Sequence, residues 1–129
     1  LSRHNAALPA FGAAFKAFND DMGALMQNVT VVTMTEFGRK AVENLNGTDH
    51  GTASSMLVMG GQVTGGKVYG QWPGLAEADL FERRDLMPTS DVRGWAAHAM
   101  RGLYGLDRGL LETSVFPGLQ MGDDPGLIL

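Results

Sequence analysis

The sequence predicts an α/β domain with a mainly parallel sheet and flanking helices. Residues 8–26 repeat apolar side chains at steps of three and four, which places them on one face of a helix and predicts that this face packs into the core. A short turn separates this segment from the β-branched run Val29 to Met34, which favours a strand. Because a helix followed by a strand is half of a βαβ unit, a parallel sheet is the favoured arrangement. A second strand is expected over residues 55–59.

Composition and charge limit the classes of function. The chain has 129 residues, which is the size of one domain and enough to bury a core. Its net charge of -4 argues against a nucleic-acid or anionic-membrane surface, because both require clustered Lys and Arg. No cysteine is present, so disulfides and thiolate chemistry are excluded. No apolar run approaches the ~18 residues of a membrane span.

The second half of the chain predicts one further long helix. Ser90 is the expected N-cap and Gly105 the expected C-terminal stop. His98 falls off the apolar stripe of this helix, which predicts an exposed histidine. Residues 75–90 carry mixed charge and are expected to be a solvated connection, and residues 120–129 a frayed loop. The helix is expected to bury Val92, Trp95, Ala96, Ala99 and Leu103.

The candidate site lies between the two predicted strands. Glu36, Asp49 and His50 fall in or beside a loop that follows the first strand, where ligands bind in open α/β sheets. A carboxylate beside a neutral imidazole suits a divalent metal such as zinc, manganese or calcium. The alternative for His50 is a loop histidine that hydrogen-bonds to its own backbone. Arg39 either binds an anionic substrate through paired hydrogen bonds or is a buried partner of Glu36.

Several motifs resemble a known family. The runs VVTMTEFGR, NGTDHG and MLVMGGQVTGGKVYGQWPGL, followed by DLMPTSDVRG and VFPGL, are similar to exported proteins grouped as domain of unknown function 1501. That family is placed with the sulfatase-like members of the alkaline phosphatase superfamily. The resemblance covers Leu8 to Gly118. It implies that residues 1–129 are a single partial domain, the C-terminal part of an alkaline-phosphatase-like three-layer sandwich. It also implies export to the periplasm, although no signal peptide is present in this chain.

The resemblance implies a dinuclear metal site and offers two alignments for it. In one, Asp49 and His50 match the superfamily's metal-binding Asp-His pair directly. In the other, Glu36 stands for the aspartate, Phe37 replaces the histidine, and His50 matches a later metal histidine. The second alignment is preferred because the order strand, acid, loop, histidine, strand fits end to end. Both alignments keep His50 as a ligand, whereas Phe37 cannot ligate a metal.

Two functional hypotheses follow from the resemblance. The first is a portion of a metal-dependent hydrolase acting on a small anionic phosphate or sulfate ester, inactive as an isolated fragment. The resemblance implies that its nucleophile lies upstream of Leu1. Within the chain, none of Thr52, Ser54 and Ser55 has a convincing activating base. No catalytic residue is therefore assigned. The second is a non-catalytic exported binding or assembly module. Apolar surface left exposed by the partial sheet predicts self-association.

Overall fold

The protein combines helices with small antiparallel sheets, so the mixed α/β class is confirmed. The computed structural model describes residues 2–45 and 47–129, with side chains from residue 6 onward. The side chain of His4, expected at the surface, and the expected turn residue Asn46 lie outside this description. The elements, in chain order, are α1 (Ser2–Met22), a 3₁₀ helix (Gly23–Asn28), β1 (Thr30–Val32), β2 (Gly38–Arg39), β3 (His50–Gly51), β4 (Val58–Gly60), a second 3₁₀ helix (Glu77–Asp79), α2 (Val92–Tyr104), α3 (Arg108–Leu110) and a π-helical turn (Leu111–Val115).

The four strands form one interrupted antiparallel hairpin, called here the 30–60 hairpin. Its outer pair joins β1 to β4, with Thr30 opposite Gly60. Its inner pair joins β2 to β3, with Gly38 opposite Gly51. The prediction of a parallel sheet is wrong for the described residues, since both pairs are antiparallel. A parallel pair requires a crossover, usually a helix, whereas the described part of the 33–57 connection contains no helix and folds back on itself.

Helix α1 exists as predicted but does not bury its apolar face. Leu8, Phe11 and Phe18 are all exposed, and only Phe15 and Met22 of this face are partly covered. The 3₁₀ helix that follows α1 is its main neighbour among the described elements. Periodicity shows that a helix has an apolar face, but it does not show what covers that face. The predicted burial of this face is therefore wrong in the described structure.

The core forms around α2 and the chain that follows it. Its buried members are Ala97, Leu111, Leu119 and Met121, with Met100, Leu106 and Phe116 packed against them. Helix α2 ends as predicted at Gly105, which adopts a left-handed conformation with φ of 64°. Its N-cap is Asp91, whose carboxylate accepts a hydrogen bond from the Arg93 backbone N–H, and not Ser90 as predicted. The Ser90 hydroxyl instead accepts a hydrogen bond from the indole N–H of Trp95.

His98 is buried, so the prediction that it is exposed is wrong. Only 7% of its surface is accessible, and its Nε2 lies 2.9 Å from the carbonyl oxygen of Met121. The cause is residues 119–127, which pack against α2 instead of fraying. Leu127 is buried, and its carbonyl oxygen accepts a hydrogen bond from the Thr64 N–H. Helix α2 is therefore covered on a side that its own periodicity marks as polar.

Candidate functional site

The inner pair of the hairpin places Arg39 directly opposite His50. Cross-strand partners project from the same face of an antiparallel pair, so the two side chains are neighbours. Glycines on both arms allow this close approach. A Cβ at Gly38 would lie 2.5 Å from the backbone nitrogen of Ala53 and closer still to its carbonyl oxygen. A Cβ at Gly51 would lie 2.6 Å from the backbone nitrogen of Lys40.

The imidazole of His50 stacks on the ring of Phe37. The ring centroids are 4.4 Å apart and the planes differ by 7°. His50 is exposed, and neither of its ring nitrogens hydrogen-bonds to a described residue. The alternative that His50 bonds to its own backbone is therefore not what the structure contains. Stacking fixes the plane of the ring while its nitrogens stay available to a ligand.

Asp49 contacts different neighbours from His50. One carboxylate oxygen lies 3.2 Å from Lys40 Nζ, and the other accepts a hydrogen bond of 2.7 Å from Asn44 Nδ2. Successive residues of an extended chain project to opposite sides, which explains why adjacent side chains separate. The Lys40 ammonium neutralises the charge of Asp49. A metal ion at Asp49 would have to displace that ion pair.

Arg39 is exposed and is not a buried partner of Glu36. Its Nη1 donates a hydrogen bond of 3.0 Å to the carbonyl oxygen of Thr48, and this bond holds the side chain along the hairpin. The rest of its guanidinium makes no hydrogen bond to a described side chain. Glu36 is also exposed and has no ion pair within the described chain. Of the two readings of Arg39 from the sequence, anion binding is the one compatible with this exposure.

The three candidate ligands do not form one metal-binding group. Among the described side chains, those of residues 6–45 and 47–129, no three His, Asp or Glu groups are arranged to hold a metal ion. Asp49 is turned toward Lys40, whereas His50 is held against Phe37. The donor atoms in the described chain therefore do not fit a complete metal site.

A buried carboxylate that sequence reasoning missed anchors the hairpin. Asp85 is 3% exposed and accepts hydrogen bonds from Arg84 Nε at 2.9 Å and from Thr52 Oγ1 at 2.8 Å. The backbone N–H of Ala41 also donates to the carbonyl oxygen of Arg84. These contacts dock both arms of the inner pair onto the 81–85 turn. The prediction that residues 75–90 are solvated is wrong at Asp85. Its burial could not be predicted from the local sequence, because its partner Thr52 lies far away in the chain.

The environment of Asp85 makes it a structural anion and a poor base. Its hydrogen bond from Arg84, followed by that from Thr52, lowers the pKa of Asp85 below its usual value of 3.8. A carboxylate with a lowered pKa has little tendency to accept the proton of a hydroxyl group. The hydrogen bond between Thr52 and Asp85 therefore positions the hairpin and does not activate Thr52 as a nucleophile.

The turn that carries Asp85 is strained. Glu82 and Arg83 have positive φ values of 51° and 56°, which residues other than glycine rarely adopt. The Arg84 N–H donates to the carbonyl oxygen of Phe81 across them, as in a type I′ turn. Such turns usually contain Asn and Gly. The turn is held in place by its contacts with the hairpin.

A family model described as Protein of unknown function (DUF1501) matches residues 2–110. The chain belongs to the DUF1501 family. The match covers α1, the whole 30–60 hairpin and α2 of this family member, and so includes every residue of the candidate site. No curated protein and no solved structure matches the chain. Within its described residues, none of the helices of this DUF1501 protein combines the length and apolar content that a bilayer crossing requires.

Proposed function

We propose that the face of the inner pair carrying Arg39 and His50 binds a small anionic phosphate or sulfate ester. The register that sets Arg39 opposite His50 is the observation that supports this proposal. A guanidinium group recognises such oxyanions through paired hydrogen bonds. An exposed imidazole N–H adds a further donor beside it. Both side chains are supported, Arg39 by Thr48 and His50 by Phe37, so little ordering is needed on binding.

The arrangement favours a binding module over a complete catalyst. Asp49 is neutralised by Lys40, and Thr52 bonds to a carboxylate that is a poor base. No other Ser or Thr of the described hairpin bonds to a carboxylate or imidazole. Recognition of the anion requires none of these groups. We therefore expect the 129-residue chain to bind an ester without hydrolysing it.

A metal-dependent hydrolase is the second candidate, in line with the resemblance to sulfatase-like proteins. It is favoured by the unpaired ring nitrogens of His50 and the unpaired carboxylate of Glu36 in the described chain. His50 and Glu36 would supply two ligands, and Asp49 a third after release from Lys40. A bound zinc, manganese or calcium ion would polarise the ester and neutralise its developing charge. Further ligands from outside the described residues would have to complete the site.

Calorimetric titration with p-nitrophenyl phosphate and p-nitrophenyl sulfate tests the binding proposal. Arg39→Gln should weaken binding by about tenfold or more, because it removes the paired donors. His50→Ala should also weaken it. Lys67→Gln is the matched control, since it removes one positive charge from an exposed residue that is not part of the 30–60 hairpin. Binding that is unchanged in Arg39→Gln, or weakened equally in Lys67→Gln, would refute a specific site at the inner pair.

Metal content separates the two candidates. Mass spectrometry of the chain together with the segment that supplies the further ligands should find a divalent metal that falls in both His50→Ala and Glu36→Ala if the hydrolase candidate is correct. Ester binding that persists in a chelator, with no metal lost in either variant, supports the metal-independent binding module. Hydrolysis of either ester by the 129-residue chain would overturn the non-catalytic proposal directly.

A further inference from the structure

A cleft of about 250 Å³ lies between the start of α2 and residues 120–125. Trp95 and His98 both line it, and because they are three residues apart in α2 they share one face of that helix. None of the residues that line the cleft belongs to the 30–60 hairpin, so it is independent of the function proposed for that hairpin. We call it the α2 cleft, and its polar and aromatic lining is Ser90, Asp91, Trp95, His98, Gln120 and Asp123.

His98 brings a buried, unpaired hydrogen-bond acceptor to the wall of the α2 cleft. Its side chain is 6% exposed, and its Nδ1 has no hydrogen-bond partner among the described residues. Its Nε2 lies 2.9 Å from the carbonyl oxygen of Met121, and because that oxygen only accepts, Nε2 carries the proton of the neutral ring and Nδ1 is an acceptor. Asp124 Oδ1 lies 3.9 Å from Nδ1 and is also an acceptor, while Arg101 lies 3.6 Å from the other oxygen of Asp124. Since an unpaired buried acceptor is costly, this wall favours a ligand that donates a hydrogen bond.

The charge of the α2 cleft favours a cation. The carboxylate of Asp123 is exposed and makes no ion pair or hydrogen bond with a described residue. The carboxylate of Asp91 is occupied by the guanidinium of Arg93, with 2.6 Å between Asp91 Oδ2 and Arg93 Nη2, so these two charges neutralise each other. Among the described residues that line the cleft, the charge without a counterion is therefore the negative charge of Asp123.

The half-buried indole of Trp95 adds an aromatic surface that is held in place. Its N–H donates a hydrogen bond of 2.8 Å to Ser90 Oγ, and the ring of Tyr69 packs against it with centroids 6.0 Å apart. A cation within about 6 Å of an indole centroid is attracted by the π electrons of the ring. Gly94 keeps the neighbouring position open, because a Cβ there would meet no described atom within 4 Å.

We propose that the α2 cleft binds a small primary ammonium ion. The ammonium donates one N–H to Nδ1 of His98, and the carboxylate of Asp123 and the ring of Trp95 balance its charge. A neutral alcohol lacks the charge, a quaternary ammonium lacks the N–H, and an anion is repelled by Asp123. The volume is below the roughly 300–1,000 Å³ of most ligand pockets, so the ligand is limited to a few non-hydrogen atoms.

Titration of the complete chain with n-butylammonium, followed by NMR, tests the ligand class. At about pH 8 an alkylamine is protonated and an ordinary imidazole is neutral. The indole N–H signal of Trp95 should shift and saturate, whereas 1-butanol and butyltrimethylammonium should each bind about fivefold more weakly or worse. Asp123→Asn should weaken n-butylammonium binding about tenfold. Asp21→Asn, at an exposed carboxylate of α1, is the matched control and should leave it unchanged. No saturable shift, equal binding of 1-butanol, or equal losses in the two variants would overturn the proposal.

Two further variants test the buried acceptor and the open space. His98→Gln keeps an amide N–H for the carbonyl oxygen of Met121 but removes Nδ1, so the preference for n-butylammonium over butyltrimethylammonium should disappear. Gly94→Leu fills the α2 cleft without changing its charge and should abolish binding, and it tests the site even if His98→Gln does not fold. Gly12→Leu, at an equally open glycine of α1, is the control for added bulk and should bind as the wild type does. Full binding in Gly94→Leu, or an unchanged preference in folded His98→Gln, would place the amine elsewhere.

Discussion

Replacing Gly38 with alanine tests the geometry that supports the candidate site. The added Cβ would lie 2.5 Å from the Ala53 backbone nitrogen and closer to its carbonyl oxygen, where ordinary contacts begin near 3.4 Å. Both neighbours are backbone atoms, so the arms must separate. Overpacking costs about 1–3 kcal/mol. Loss of the hydrogen bond from the Arg39 N–H to the Ala53 carbonyl oxygen costs about 1 kcal/mol more. The total for opening the inner pair is therefore about 2–4 kcal/mol.

Hydrogen exchange measures this opening locally. Protection of the Arg39 and Lys40 amides, which bond across the hairpin, should fall by about 30- to 1,000-fold, since each 1.4 kcal/mol is a factor of ten. Ester binding should weaken with it. Gly94→Ala is the control, because its Cβ meets no atom within 4 Å and alanine favours the α2 helix by about 1 kcal/mol. Wild-type protection in Gly38→Ala would refute the argument from close approach.

Three further predictions concern the core, the buried carboxylate and the α2 cap. Leu111→Ala should lower the free energy of unfolding by about 3 kcal/mol in urea titration, because the side chain is fully buried. Leu110→Ala, at a 45% exposed neighbour, should cost less than about 1 kcal/mol. Asp85 has a folded pKa below 3.8, so the stability it contributes is present above that value and is lost as pH falls through the folded pKa. Asp85→Asn should flatten the acid limb of the unfolding curve. Asp91→Ala should cost about 1 kcal/mol by thermal denaturation, and Ser90→Ala less, because Asp91 is the N-cap.

Each of these predictions has an outcome that contradicts it. Equal losses at positions 110 and 111 would show that the core is not centred on Leu111. An acid limb as steep in Asp85→Asn as in the wild type would assign the pH dependence to other groups. A larger loss at Ser90 than at Asp91 would place the N-cap one residue earlier, where the sequence predicted it.

Local features of the fold could be predicted from the sequence, whereas contacts between distant segments could not. The end of α2 at Gly105 follows from a residue that readily adopts positive φ, and the two apolar runs do contain strands. Whether the two strands pair in a parallel or an antiparallel way depends on the conformation of residues 33–57 between them. Neither apolar run contains that information. His98 is buried by a segment about twenty residues later in the chain, so helical periodicity alone gives the wrong answer.

The candidate residues were chosen from the sequence, but their arrangement could not be predicted from it. Glu36, Arg39, Asp49 and His50 all fall on or beside the inner pair, a strand pair within the segment that the sequence predicted to be a loop. Which of these side chains contact each other depends on the register of the inner strand pair. One residue separates Asp49 from His50, yet the first contacts Lys40 and the second Phe37. Sequence separation cannot resolve that difference, because a one-residue change of register exchanges the two faces of a strand.

The nesting of one strand pair inside the other has a consequence for how the chain folds. Joining Arg39 to His50 closes a short loop, whereas joining Val32 to Val58 directly closes one more than twice as long. Loop-closure entropy rises by about 0.6 kcal/mol for each doubling of length, so the inner pair has the advantage of forming first. Once it forms, only residues 33–37 and 52–57 separate it from the outer pair. We therefore expect strand pairing to begin at the inner pair and proceed toward α1, so that the face carrying Arg39 and His50 assembles before the outer strands meet.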